Sequence, residues 1–259
     1  GFINRNGVSD LYYTVFGLLA LLALQEEIPE ANIRNFLLKY KDGSELDLVH
    51  LASLVRCWSC ISKSPDTIPI PLSQFCKSIE RFRAQDGNFN TIPAANHGTL
   101  YGTFLVFGAC QDMGIEIPDI DFIQPWFDQL QCRDHGYSNH PRAKGGTTTS
   151  TAAAVMIMHS IGLPIPSSIQ DWLLQRYNPN GGGFFASSDT PMPDLLSTAT
   201  ALHALERLNT PLHTIQEPCL DFLDSLWTSQ GGFYCHWADD KLDCEYTYYG
   251  LLSLGHLSL

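Results

Sequence analysis

Charge is scarce in this 259-residue sequence. Only 16% of the residues are Asp, Glu, Lys or Arg, against about 25% in an average soluble domain. Positive charge is scarcer still, with 15 Lys and Arg against 27 Asp and Glu and a formal net charge of −12. Nucleic-acid phosphates need clustered cations to neutralise them, so nucleic acid is excluded as a partner. Anionic membrane surfaces are disfavoured for the same reason. Long hydrophobic runs are also missing. The longest, 15–24, is about half of the ~20 residues a bilayer span requires. It lacks the flanks of a signal peptide and reads as a buried core helix. β-branched alternation is absent, which leaves no strand pattern. Disorder is excluded in turn by the 44% hydrophobic content.

A disulfide framework is missing as well. Eight cysteines are present, at 57, 60, 76, 110, 132, 219, 235 and 244, without framework spacing. Cys57-Trp-Ser-Cys60 has no second CxxC or histidine pair to complete a metal site, and reads as two buried thiols on one helix face. The expectation is a reduced, cytoplasmic protein.

What is there is a repeat. Glycine-aromatic clusters occur at Gly1-Phe2, Gly87-Asn-Phe89, Gly136-Tyr137, Gly183-Phe184 and Gly232-Phe233. Each is followed by a polar-capped helix start: Asp10-Leu-Tyr-Tyr-Thr14, Ala95-Asn-His-Gly-Thr99, Thr147-Thr-Thr-Ser-Thr151, Asp194-Leu-Leu-Ser-Thr198 and Asp243-Cys-Glu-Tyr-Thr247. Three residues beyond each threonine stands a small residue: Gly17, Gly102, Ala154, Ala201 or Gly250. The threonines are 85, 52, 47 and 49 residues apart, and a degenerate copy, Asp47-Leu-Val-His-Leu51, splits the first interval into 37 and 48. About six repeats of roughly 50 residues result. In this register His97 occupies the position of Glu245.

The helices after the threonines are apolar on nearly every side, as buried helices are. Between them, amphipathic helices are predicted over 30–41, 73–84, 121–131, 167–176 and 214–228, with apolar residues at i, i+3 and i+4, as in Phe75, Ile79 and Phe82. Six buried helices alternating with five clear amphipathic ones suggest two concentric rings, an all-α fold of the α/α toroid type. A straight solenoid fits the alternation too. The sixth amphipathic helix is expected before residue 1, or the ring has a gap there. The expected organisation is one domain, 1–259.

These Gly-aromatic clusters, each leading to a helix that opens Asp-x-x-x-Thr, resemble the repeats shared by protein prenyltransferase β subunits and terpenoid cyclases of the squalene–hopene type. The resemblance covers nearly the whole chain. It implies a six-plus-six helical barrel whose greasy cavity holds an isoprenoid, with reactive groups where the inner helices begin. Aromatics do cluster at three such starts: Tyr12, Tyr13 and Phe16; Tyr101 and Phe104; Tyr246, Tyr248 and Tyr249. They are candidates for binding an apolar chain or stabilising a carbocation, or simply for filling the ring's centre. His97 joins them as a substrate-binding candidate.

The family's residues carry over only in part. Prenyltransferases hold zinc with Asp-x-Cys and a histidine from the next repeat. Asp243 matches the aspartate, Glu245 stands at the cysteine position, Cys244 is one residue early, and Tyr13 stands at the histidine position. The family's diphosphate-binding basic residues fall where this chain has His236, Asp239, Asp240 and Lys241, and the aspartate pair would repel a diphosphate without Mg²⁺. Cyclases use Asp-x-Asp-Asp-Thr-Ala, matched by Asp194-Leu-Leu-Ser-Thr-Ala199 with Leu196 at the acid position. The candidates are therefore Asp194 and Asp243 for catalysis, and Asp243 with Glu245 for a Zn²⁺ or Mg²⁺ ion. The aspartates serve equally as helix caps.

His50 reads as a satisfied core histidine. A basic loop with Arg133, His135, His140, Arg142 and Lys144 is a candidate for holding an anion on the Gly145-Gly146 amides. The expected function is an isoprenoid-handling enzyme most like a prenyltransferase β subunit, which implies a partner subunit. The alternatives are a terpenoid-cyclase-like enzyme and a non-catalytic scaffold binding lipid or protein.

Overall fold

The computed structural model describes residues 1–117 and 123–258. Among the described residues there are eleven α-helices, two short 3-10 turns and no strand beyond isolated bridges. No helix of the described residues is long and apolar enough to cross a membrane. The chain packs as two compact units, Gly1–Gln124 and Pro125–Leu259.

In the first unit α1 (Leu11–Ala23) packs on α3 (Leu48–Ile61), and α3 packs on α5 (Leu100–Asp112). Between them in sequence lie α2 (Glu30–Leu37) and α4 (Leu72–Glu80), which bury one face only: Ile33, Phe36 and Leu37 from α2, Phe75, Ser78 and Ile79 from α4. Leu18, Leu54, Trp58, Phe75 and Val106 belong to one apolar cluster. The run 15–24 is not buried to its end, since Leu22 and Leu24 are 46% and 54% exposed. In the second unit α7 (Thr148–Ser160) packs on α9 (Leu195–Arg207), and α9 on α11 (Cys244–Leu257). The amphipathic helices here are α6 (Ile123–Leu130), whose first two residues fall in the first unit, α8 (Ser168–Leu174) and α10 (Gln216–Leu226). The first two residues of the helix predicted over 121–131 lie outside the described residues. The other amphipathic helices end two to four residues short of their predicted ends.

One device starts all six odd-numbered helices. Asp10, Asp47, Thr99, Thr147, Asp194 and Asp243 are extended N-cap residues whose side chains each accept the amide three residues on. Such a cap stabilises a helix by about 1 kcal/mol. A second device follows one turn later. Buried Thr14, Thr103, Thr151 and Thr198 accept the amides of Phe2, Phe89, Tyr137 and Phe184 at 2.9–3.2 Å. The hydroxyl clamps the glycine-aromatic loop to the helix and satisfies an amide that burial would otherwise orphan. At the two ends of the chain the aromatic ring also lies over a glycine. A Cβ on Gly17 would meet the Phe2 ring at 2.4 Å, and one on Gly250 the Phe233 ring at 2.4 Å.

The clamp corrects the repeat register. Thr99 is a cap, aligned with Asp10 and Asp194, and Thr103 is the clamp. The caps are spaced 37, 52, 48, 47 and 49 residues apart. Val106, not Gly102, then follows the clamp by three residues. Tyr101, not His97, shares the position of Glu245.

Candidate functional site

The cap ends of α9 and α11 carry most of the candidates in the second unit. Asp194 has both oxygens engaged: Oδ1 accepts the Ser197 amide and Oδ2 the Ser197 hydroxyl, each at 2.8 Å. Burial pushes its carboxyl above the ordinary range, and the bonds from Ser197 and the nearby His236 oppose that only in part. Asp243 uses Oδ1 to accept the Tyr246 amide at 2.9 Å. Two residues into α11 stands Glu245, 9% exposed and the one charged side chain in the buried class among the described residues. A carboxylate is seldom that buried without a task or a partner. Next to it in α11 the Tyr246 and Tyr249 rings lie 6.4 Å from each other, and the Tyr248 and Tyr249 rings 5.9 Å, all half-buried.

The first unit builds a similar aromatic group. Tyr12 meets Tyr13 edge-on at 5.6 Å and Phe16 at 4.9 Å. Tyr101 and Phe104 begin α5 and remain 41% and 37% exposed. His97 lies before the α5 cap, 70% exposed, with Nδ1 3.5 Å from Asp86. His50 is not in the core. It is 35% exposed and bridges two caps, with Nδ1 2.8 Å from Asp47 and Nε2 3.6 Å from Asp10.

Two other expectations change. The Gly146 amide is unavailable to an anion, because both oxygens of Asp134 accept it at 3.2 Å. Asp86 holds the Gly98 amide in the same way. Asp239 turns inward on its own loop, accepting the amides of Cys235 and Lys241. It is a loop former before it is a source of repulsion. The Cys57 and Cys60 thiols are pushed up by burial, Cys60 to about 11, which keeps both protonated. Cys57, Cys60, Cys76, Cys110, Cys132 and Cys219 are free thiols.

Sequence reasoning passed over one group. His203, Glu206 and His256 bring potential ligand atoms within 4.8 Å of one another. The linear signal is the His-x-x-Glu step on α9, which points nowhere until α11 supplies the third residue.

The architecture has known counterparts. The Candida albicans protein geranylgeranyltransferase-I, solved in complex with GGPP, superposes with a TM-score of 0.73 at 14% identity, covering 95% of this chain and 83% of that one. A variant of the type II terpene cyclase MstE from Scytonema, bound to geranylgeranyl dihydroxybenzoate, gives 0.59 at 11% identity, covering 97% and 87%. The apo form of that cyclase gives 0.53 at 11%, covering 97% and 88%. At such identities the likeness speaks for the fold. No curated protein matches by sequence. The prenyltransferase alpha-alpha toroid domain matches over residues 40–185 and 167–258, and the chain therefore belongs to the prenyltransferase α/α toroid family.

Proposed function

We propose that the protein is an isoprenoid-handling enzyme resembling a prenyltransferase β subunit, acting as one domain over 1–259, with a non-standard active site at the cap end of α11. The observation that carries this reading is the grouping of buried Glu245 with half-buried Tyr246, Tyr248 and Tyr249. Tyrosine faces give a prenyl chain an apolar bed. Their negative π-clouds stabilise positive charge on an allylic carbon as a diphosphate departs. Tyr12, Tyr13, Phe16 and Tyr101 offer the same chemistry on their own helices. In this reading a partner subunit in the cytoplasm presents the acceptor.

The zinc that the family implies does not fit this donor set. Asp243 and Glu245 offer only oxygen, and Asp243 already holds the Tyr246 amide. Zinc sites are built mainly on nitrogen and sulfur. Carboxylate oxygens suit Mg²⁺ arriving with a diphosphate substrate. The terpenoid-cyclase reading has Leu196 where it needs an acid. The scaffold reading gains from Asp194, whose two oxygens both serve the helix start.

Native mass spectrometry with farnesyl and geranylgeranyl diphosphate tests the proposal, followed by turnover with a thiol-bearing peptide acceptor. One isoprenoid per chain is expected. Tyr248→Ala and Tyr249→Ala should weaken its binding, and Glu245→Gln should stop turnover while leaving binding intact. Binding without turnover would favour the scaffold, and no binding of either diphosphate overturns the proposal.

A further inference from the structure

At the other end of α9 and α11 from the caps lies a group that the isoprenoid reading does not use. His203 and Glu206 stand on consecutive turns near the end of α9, and His256 stands in the last turn of α11. Nine residues separate Asp194 from His203, about 13 Å along the helix. His203 Nδ1 lies 2.9 Å from His256 Nε2, with the rings tilted by 43°. Glu206 places a carboxylate oxygen in the same space, so that three potential ligand atoms lie within 4.8 Å of one another. All three side chains are half-buried.

We propose that His203, Glu206 and His256 form a Zn²⁺ site that ties the C-terminal part of α9 to the last turn of α11. The donor set is two imidazoles and one carboxylate, a combination zinc favours, with a fourth position left for water or an anion. Bonds of ~2.0–2.1 Å in tetrahedral array put ligand atoms about 3.3 Å apart. The two imidazole nitrogens therefore need to separate by only a few tenths of an ångström. The i, i+3 spacing of His203 and Glu206 puts both on one face of α9, and the packing of α11 on α9 supplies the third ligand.

Nδ1 of His256 is buried and has no hydrogen-bond partner among the described residues. The ring therefore meets His203, and would meet a cation, through Nε2. Burial and the neighbouring Arg207 hold both histidines toward the neutral, metal-binding form; the His256 ring adds to this at His203, while Glu206 opposes it at both. Arg207, 3.6 Å from Glu206, is a cation beside the site that must be outweighed. The site does not depend on which reading of the cap end holds.

The test uses the full chain, stripped with a chelator and titrated with Zn²⁺ by calorimetry, and with Co²⁺ by absorption. The wild type should bind one Zn²⁺, and Asp243→Asn should bind it equally well. The double variant His203→Asn, His256→Asn should lose it. Glu206→Gln, at a half-exposed position, should weaken binding on the order of 10-fold or more. The Co²⁺ spectrum should show ligand-field bands without a thiolate charge-transfer band. Failure of the wild type to bind Zn²⁺ overturns the proposal. So does unchanged affinity in Glu206→Gln, or a thiolate band, which would move the metal to a cysteine. Should the histidine double variant not fold, the Glu206→Gln affinity and the wild-type spectrum decide.

Discussion

At the scale of single residues, the threonine clamp joins sequence to stability most directly. Thr198 is fully buried, accepts the Phe184 amide at 2.9 Å and donates to the Asp194 carbonyl at 2.7 Å. Thr198→Val keeps the shape and removes the acceptor. The buried amide is then unpaired, and stability should fall by about 1–3 kcal/mol. A lower urea midpoint with an unchanged slope would register this, and an unshifted midpoint would sink the clamp account. Asp194 and Asp243 are separable by the same logic. Replacement by Asn keeps the cap, and replacement by Ala costs about 1 kcal/mol. An Asn variant that folds normally yet loses turnover marks a catalytic carboxylate, and one that keeps turnover marks a cap. The caps were legible because Asp or Thr before an apolar helix has few other uses. Thr99 was misread because threonine serves both as cap and as clamp, four residues apart, and side chains alike in sequence are told apart only by the amide each accepts. Glu245 was legible as an acid among tyrosines, but its burial was not.

At the scale of elements, the link between α3 and α5 gives a pH prediction. Arg56 Nε lies 2.6 Å from Asp112 Oδ2. Burial raises the Asp112 carboxyl above its ordinary value, and Arg56 reverses only part of that. The folded state thus holds this proton more tightly than the unfolded state does. The contribution is fully present below the ordinary carboxylate range and is lost as pH rises through the folded value. Asp112→Asn should therefore flatten the fall in melting temperature as pH climbs from about 4; an identical profile in both proteins would refute the link. The turn between α8 and α9 is constrained differently. Gly182 has a φ of +72°, and a Cβ there would lie 1.8 Å from the Pro218 carbonyl oxygen. Gly182→Ala meets both the strained backbone and the clash, and should destabilise by about 1–3 kcal/mol or prevent folding, as thermal unfolding would report. Helix existence and order were readable from periodicity. Helix ends were less so: the apolar face of 73–84 continues through Phe82 and Ala84, but the helix stops at Glu80 because the chain must turn into the bridge between Arg83 and Phe89.

At the scale of the whole molecule, the net charge of −12 sets a prediction of unusual sign. A diphosphate approaches a like-charged protein, so screening should help it. Raising salt from about 0.01 M to 0.15 M shortens the Debye length from about 30 Å to about 8 Å. Affinity for geranylgeranyl diphosphate should rise over that range, and rise further with Mg²⁺. A fall on adding salt, measured by calorimetry, would mean that a basic site dominates instead. The α/α toroid was readable because its repeat is spelled out in glycine, aromatic and threonine positions. The histidine–glutamate group was not, because its two histidines are 53 residues apart and stand at different positions of their helices. The clamp has one more consequence. The amides of Phe2, Phe89, Tyr137 and Phe184 occupy equivalent places, each closed by a buried hydroxyl. In hydrogen exchange they form four matched clocks along one chain. If each compact unit opens as a whole, Phe2 will keep time with Phe89, and Tyr137 with Phe184; if repeats open singly, all four will run at their own rates.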